Sequence, residues 1–253
     1  MATDEPTAPA PAELAVDTVD FHFDLMCPFA YQTSLWMREV RDLTGLEVNW
    51  RFFSLEEVNR VEGKKHPWER PWSYGWSMMR IGAFLRRIDP DLLDRWYLRA
   101  GAALHVEGNK PHDPDVAREL LEQIDLDPGL VDAAIADEST HDEIHREHQR
   151  VIDAGGFGVP TLFFGEQCLF GPVLIDPPTG DDALALWDLV VGWLRFPHLF
   201  EVQRPKNREH LRAITASLQP YLTGRDWVSV DRGEVIEFPP PKDPAPEDPA
   251  PED

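Results

Sequence analysis

Apolar and polar residues alternate along Val19-Asp20-Phe21-His22-Phe23, the period expected of a strand with one buried face. On that pattern His22 and Asp24 belong to the other face, where either could assist proton transfer, although solvation at an edge is the expected reading. A helix-like stretch runs from Pro28 to Thr44 and ends at Gly45, a residue suited to a helix C-terminus. Leu46 to Phe53 then reads as a second strand. This strand-helix-strand opening predicts parallel pairing and a right-handed crossover. From residue 56 to about 152 strand character disappears and helical periods take over, as in Leu92, Leu93, Trp96, Ala100, Ala103 and Leu104. Leu162–Phe164 and Cys168–Phe170 read as a strand pair around Gly165-Glu166-Gln167. Helices are expected over Asp181–Leu194 and Asn207–Leu222, and a short hairpin around Asp231-Arg232-Gly233.

Between the first strand and the first helix stands Asp24-Leu25-Met26-Cys27-Pro28-Phe29-Ala30-Tyr31. Cys27 therefore sits at a helix N-terminus, where unpartnered amides and the positive end of the macrodipole favour an anion. Cysteines so placed have pKa values of roughly 3.5 to 7.5, against about 8.5 for a free thiol, so a nucleophilic thiolate is expected. Pro28 fits the first helical turn, where its missing N–H costs nothing. The spacing is that of a Cys-Pro-x-Cys motif with Ala30 in the fourth place, so no second thiol stands beside the first. Farther along lies Gly155-Gly156-Phe157-Gly158-Val159-Pro160-Thr161, with an X-Pro bond at the start of a strand; only such bonds adopt cis cheaply.

Phe23-Asp24-Leu25-Met26-Cys27-Pro28-Phe29, Ser54-Leu55 and Gly158-Val159-Pro160-Thr161 stand in this order along the chain. Phe170-Gly171-Pro172-Val173-Leu174, Leu186-Trp187-Asp188 and Pro197-His198-Leu199-Phe200-Glu201 follow. Over roughly residues 18 to 204 the chain resembles the DsbA-like branch of the thioredoxin superfamily. That branch includes kappa-class glutathione transferases and 2-hydroxychromene-2-carboxylate isomerases, and the chain looks closer still to its mycothiol-linked mycoredoxin or nitroreductase proteins. The resemblance implies an α/β, thioredoxin-like fold with an inserted helical domain. Residues 18–55 and 153–204 would form the thioredoxin-like part, 56–152 the insertion and 205–238 a C-terminal extension, with disordered tails at 1–17 and 239–253. It also implies that Pro160 faces Cys27, and it gives Cys27, Pro28 and Pro160 as the catalytic set. The nearest relatives of that branch carry a second cysteine where this chain has Ala30.

A single-cysteine, thiol-dependent oxidoreductase follows, using a low-molecular-weight thiol such as mycothiol or glutathione as cosubstrate, with no tightly bound cofactor and an electrophilic or disulfide substrate. A kappa-like thiol S-transferase or isomerase is one alternative, and a non-catalytic ligand- or peptide-binding module another. Such a thiol needs a binding site. The segment from Arg60 to Trp76 concentrates cations and aromatic rings in an acidic chain, and cations can hold a carboxylate while rings pack on sugars. Lys64, Lys65, Trp68, Trp72 and Tyr74 are its candidates, with Asn59, Phe29, Val159 and Thr161 around the cysteine. The contrary expectation, that these rings only pack an interface and the cations are solvated, has equal weight.

Composition narrows the partners. Lys and Arg number 24 against 46 Asp and Glu, a formal charge of -22, which opposes binding to nucleic acid or anionic membrane. The N-terminus has no signal-like pattern and no window is apolar enough to span a bilayer, so a cytoplasmic protein is expected. Two cysteines make no disulfide scaffold, and Cys168 is expected to be a buried structural residue. His141, His145 and His148 share one helical face; no metal site is expected there, only a polar surface. The Pro- and acid-rich end contributes little burial, so deleting residues 240–253 should leave the melting temperature and activity unchanged, a result readable by calorimetry on the truncated chain.

Overall fold

Strand β1 (Thr18–Phe23) is followed by the loop that carries Cys27 and by helix α1 (Pro28–Thr44). Pro28 opens α1, and Gly45, at φ 77°, closes it by donating its amide to the Arg41 carbonyl. That left-handed turn suits glycine and frees the chain to enter β2 (Glu47–Phe52), which runs parallel to β1. These features, like the rest described below, come from a computed structural model that describes residues 16–224.

Four strands form one sheet in the order β2-β1-β3-β4. β3 (Thr161–Phe164) is antiparallel to β1 and hairpins into β4 (Gln167–Phe170). β1 is thus an inner strand, and both of its faces are covered: Phe21 and Phe23, but also His22 and Asp24, are fully buried. The solvated edge expected for His22 and Asp24 is therefore wrong. Alternation marks two faces but does not say that one of them is wet. On one face Phe21 meets Trp50 at 5.0 Å edge-on, and Phe23 stacks on Tyr97 at 3.8 Å.

Between β2 and β3 the chain is helical: α2 (Leu55–Val58), a single 3₁₀ turn at Pro67–Glu69, then α3 (Tyr74–Ile88), α4 (Pro90–His105), α5 (Pro114–Glu122), α6 (Leu130–Ala136) and α7 (Ser139–Asp153). Polar and aromatic bonds fasten these helices to the sheet. Arg38 of α1 pairs with Asp94 of α4 at 2.6 Å and lies 4.3 Å over the Trp50 ring. The α7 helix covers the outer edge of β2, where Glu147 accepts the Phe52 amide at 2.8 Å and His148 Nδ1 accepts the Ser54 amide at 3.2 Å. An exposed strand edge is a template for unwanted pairing, and here two side chains occupy it. His148 is consequently buried, and His141 and His145 lie against Trp76. The expected polar histidine face is in fact a packing face.

α8 (Gly180–Trp193) packs on α1, with Trp36 donating to the Ala183 carbonyl at 3.0 Å. α9 (Arg208–Gly224) packs on α4. The helix expected over Asn207–Leu222 is α9. The hairpin around Asp231-Arg232-Gly233 and both tails, apart from Val16 and Asp17, lie outside the described residues.

The α1–α4 contact is tight enough to reverse a usual rule. A helical Gly→Ala change ordinarily stabilises by about 0.5–1 kcal/mol. At Gly101 the added Cβ would meet the Tyr31 ring at 2.4 Å, and overpacking of this kind costs about 1–3 kcal/mol. Gly101→Ala should therefore lower the denaturation midpoint in urea, with a net loss of about 1–2 kcal/mol.

Candidate active site

Cys27 caps α1 with sulfur. Its backbone is extended, and Sγ accepts the Ala30 amide at 3.4 Å, the bond that a Ser or Asp oxygen makes at other helix starts. On its other side the thiol donates to the Val159 carbonyl at 3.5 Å. The Val159–Pro160 peptide is cis, and Thr161 Oγ1 donates to the Gly158 carbonyl at 2.8 Å within the same turn. Pro28 and Phe29 are half-buried beside the thiol in the first turn of α1. The fold thus brings together two segments more than a hundred residues apart in sequence, Cys27-Pro28-Phe29 and Val159-Pro160-Thr161.

The electrostatics correct one expectation. Cys27 is only 6% exposed. Burial pushes its thiol up to about 12, and the Ala30 and Phe29 amides, although they favour the anion, do not outweigh that; the nearby Asp24 charge adds to the rise. A thiolate stabilised at rest is therefore not what this site holds. The helix terminus does offer amides to sulfur, but the desolvation of a fully enclosed charge is the larger effect.

Asp24 is the second buried acid. Its Oδ1 accepts the Met26 amide at 2.9 Å and its Oδ2 the Leu55 amide at 2.7 Å. Burial raises this carboxyl to about 7, against the pull of those two amides. α3 also abuts it, since a Cβ at Gly75 would lie 2.8 Å from Asp24 Oδ1 and 3.0 Å from Met26 Cγ. Only glycine fits there.

The remaining candidates fall into separate groups. Trp68 stacks on His66 at 4.3 Å and meets His145 and Trp76. Trp72 donates to the His112 carbonyl at 2.6 Å, and Tyr74 meets the His112 ring at 5.2 Å. Asn59 is exposed and its amide bonds back to the Leu55 carbonyl at 2.8 Å. The cations divide sharply. Arg60 is tied to Glu57 and the Lys64 carbonyl, and Arg70 to Glu56 and the Lys65 carbonyl. Lys64 is half-buried and Lys65 exposed. Cys168, expected to be buried, is only partly so; it lies on β4 opposite Phe163 and forms no disulfide with Cys27. Among the described residues no three His, Cys, Asp or Glu side chains converge as metal ligands, and no helix is long and apolar enough to cross a membrane.

With this geometry in hand, comparison with known proteins is decisive at the level of family. Residues 26–204 match the family model described as Rv2466c-like, mycothiol-dependent nitroreductase Rv2466c. The chain belongs to this family. A relative in Mycobacterium tuberculosis, the uncharacterised protein Rv2286c, is 60% identical over 221 residues, covering 87% of this chain and 96% of the relative. The 2-hydroxychromene-2-carboxylate isomerase of Sphingobium xenophagum is 20% identical, over 63% of this chain and 94% of that protein. Among solved structures, a 2-hydroxychromene-2-carboxylate isomerase superposes with a TM-score of 0.52 at 19% identity, covering 70% of this chain and 96% of its own. The cytosolic disulfide reductase DsbM of Pseudomonas aeruginosa, solved with GSH, superposes with a TM-score of 0.50 at 18% identity, covering 69% and 99% respectively. The fold is the DsbA-like, thioredoxin-type α/β fold.

In this member of the Rv2466c-like family the sequence reading missed His105. The residue ends α4, is 3% exposed, and its Nε2 lies 2.8 Å from the Leu25 carbonyl. A carbonyl only accepts, so Nε2 carries the proton and donates it. Burial lowers the imidazole to about 4, keeping it neutral. Nothing in the local sequence marks His105, because its partner is 80 residues away.

Asp24 should leave a signature in stability. Its pKa lies above the ordinary carboxylate value, so between about pH 4 and pH 7 the folded protein binds a proton that the unfolded chain has released. The stability Asp24 contributes is full below about pH 4 and is lost as pH rises to about 7. His22 and His105, buried neutral, act in the opposite sense, so the comparison is made between variants. The gap in unfolding free energy between wild type and Asp24→Asn should shrink across that window, at about 1.4 kcal/mol per unit of pKa shift. A constant gap would overturn the assignment.

Proposed function

We propose that this protein is a thiol-dependent oxidoreductase working through Cys27 alone, with a low-molecular-weight thiol, mycothiol or glutathione, as cosubstrate. The observation that carries the reading is the placement of Cys27 Sγ between the Ala30 amide and the Val159 carbonyl, with a methyl group at the position of a resolving thiol. Membership of a family described as mycothiol-dependent supports the choice of cosubstrate.

The chemistry follows from the two bonds on sulfur. At rest the S–H points to the Val159 carbonyl and the thiol form is held. A disulfide entering beside Val159-Pro160 displaces that contact, and the Cys27 proton leaves to solvent. The sulfur, now anionic, keeps the Ala30 amide. It attacks one sulfur of the substrate disulfide; a Cys27–S–S–R bond forms, the substrate S–S bond breaks, and the leaving thiolate takes up a proton. Ala30 offers no sulfur to resolve the adduct. A thiolate of the cosubstrate then attacks the outer sulfur of the adduct; a mixed disulfide between cosubstrate and substrate forms, the Cys27–S bond breaks, and Cys27 takes back a proton. One turnover thus consumes one cosubstrate thiol, and a second such thiol attacking the mixed disulfide releases the other half of the substrate as a thiol and completes the reduction.

A carboxylate of glutathione, or the sugar hydroxyls of mycothiol, would meet Lys64 and Lys65, because the neighbouring arginines are already committed to Glu56 and Glu57. Phe29, Asn59, Trp68, Trp72, Tyr74, Val159 and Thr161 would line the approach. In this reading residues 56–152 are a helical insertion that walls the cleft, residues 18–55 and 153–204 are the thioredoxin-like body, and the protein acts in the cytoplasm. The overall charge of -22 opposes nucleic acid as a partner.

Oxidation with glutathione disulfide or oxidised mycothiol should leave one adduct, on Cys27, that only added thiol removes; Cys27→Ser should carry none. Ala30→Cys should instead form an internal disulfide one helical turn from Cys27, read by peptide mapping. A Cys27–Cys168 disulfide in the wild type, or a protein that binds the thiol without ever forming an adduct, would overturn the monothiol reading; the latter would favour a kappa-like transferase.

A further inference from the structure

α9 begins beyond residue 204, where the family match ends. Even so, it touches the histidine that bonds the cysteine loop. Tyr221 of α9 is buried, and its ring lies 5.3 Å from the His105 ring at an interplanar angle of 33°. Tyr31, in the second turn of α1, faces the same imidazole at 5.1 Å and 29°. His105 thus lies against rings from two helices, while its Nε2 bonds the carbonyl of Leu25, two residues before Cys27. The seat of α9 is equally specific. Gly108, with φ +68°, lies where a Cβ would be 3.2 Å from the Pro220 carbonyl oxygen, so α9 closes onto bare backbone at the end of α4.

We propose that Tyr221 is a positioning residue for Cys27: by holding the His105 ring against Tyr31, it keeps the imidazole bonded to Leu25 and the loop in the form that places Sγ between Ala30 and Val159. This rests on Cys27 being the reacting thiol. His105 has no alternative polar anchor, because its Nδ1 is buried without a hydrogen-bond partner. Take the Tyr221 ring away and water can reach that nitrogen, the imidazole can turn, and the Leu25 carbonyl loses its donor. The loop then hydrates. Desolvation is what holds Cys27 protonated, so a loosened loop exposes a more reactive thiol while losing the geometry that disulfide exchange needs.

The test uses the full chain. Tyr221→Leu keeps apolar volume but removes the ring, and Tyr221→Phe keeps the ring. Alkylation of Cys27 by iodoacetamide at neutral pH, followed by mass spectrometry, should be more than about threefold faster in Tyr221→Leu, with glutathione-disulfide exchange slower by a similar factor. Tyr221→Phe should match the wild type. Val190→Ala, a core truncation in α8, serves as a destabilised control whose Cys27 reactivity should not move. Equal rates in Tyr221→Leu and wild type, or equal acceleration in Val190→Ala, would overturn the proposal. Gly108→Ala, which presses on Pro220 without touching any ring, should accelerate alkylation likewise and decides the matter if Tyr221→Leu does not fold. Wild-type protein that forms no Cys27 adduct would instead sink the functional reading, which is a separate result.

Discussion

A single buried carboxylate joins the parts on which the site depends. Asp24 leaves β1 and immediately accepts two amides, one from the cysteine loop at Met26 and one from Leu55, where the chain leaves β2. The N-terminus of α3 closes on it through Gly75, which has no room for a side chain. Three chain segments from different parts of the sequence therefore meet at one charge-capable group. Two amides cannot fully replace water around a carboxylate, which is why this acid is raised to about 7. The arrangement is held by the surrounding fold rather than by Asp24's own energetic preference.

The same opposition between burial and directed hydrogen bonds governs the thiol. A helix N-terminus in water favours a thiolate; the same terminus sealed under Val159 and Pro160 favours a thiol. On the proposed function, the reactivity of Cys27 is a matter of access, and the groups that seal the site, with those that hold them in place, set it as much as the sulfur does. This gives weight to His105, which bonds the loop that carries Cys27.

Charge is organised by a related logic. Acidic residues outnumber basic ones almost two to one, and the arginines are largely absorbed: Arg86 and Arg87 by Glu143, Arg51 by Asp20 and Glu147, Arg150 by Asp20. Pairs of this kind, still partly open to water, contribute modestly each. Their effect is to fasten α7 and α3 over the edge of β2 and to leave few cations available for an anionic ligand. In the segment after β2, Lys64 and Lys65 stand outside such pairs while Arg60 and Arg70 do not.

Local chemistry made much of this legible in advance. Alternation located β1, Pro28 and Gly45 bounded α1, the Gly165 turn separated β3 from β4, and α8 and α9 lie where their periodicity placed them. Cys27 and Val159-Pro160 were recognisable because helix caps and X-Pro bonds are properties of short stretches of chain. What the sequence could not decide was which faces are dry. His22 and Asp24 alternate as edge residues would, yet β1 became an inner strand. His141, His145 and His148 share a helical face that packs inward, because α7 returns to cover β2. His105 and Tyr221 owe their place to partners 80 and 116 residues away. Residue type and spacing determine which bonds a segment can make, but solvent exposure, and with it the protonation state of Cys27 and Asp24, is set by whatever the rest of the chain brings over that segment.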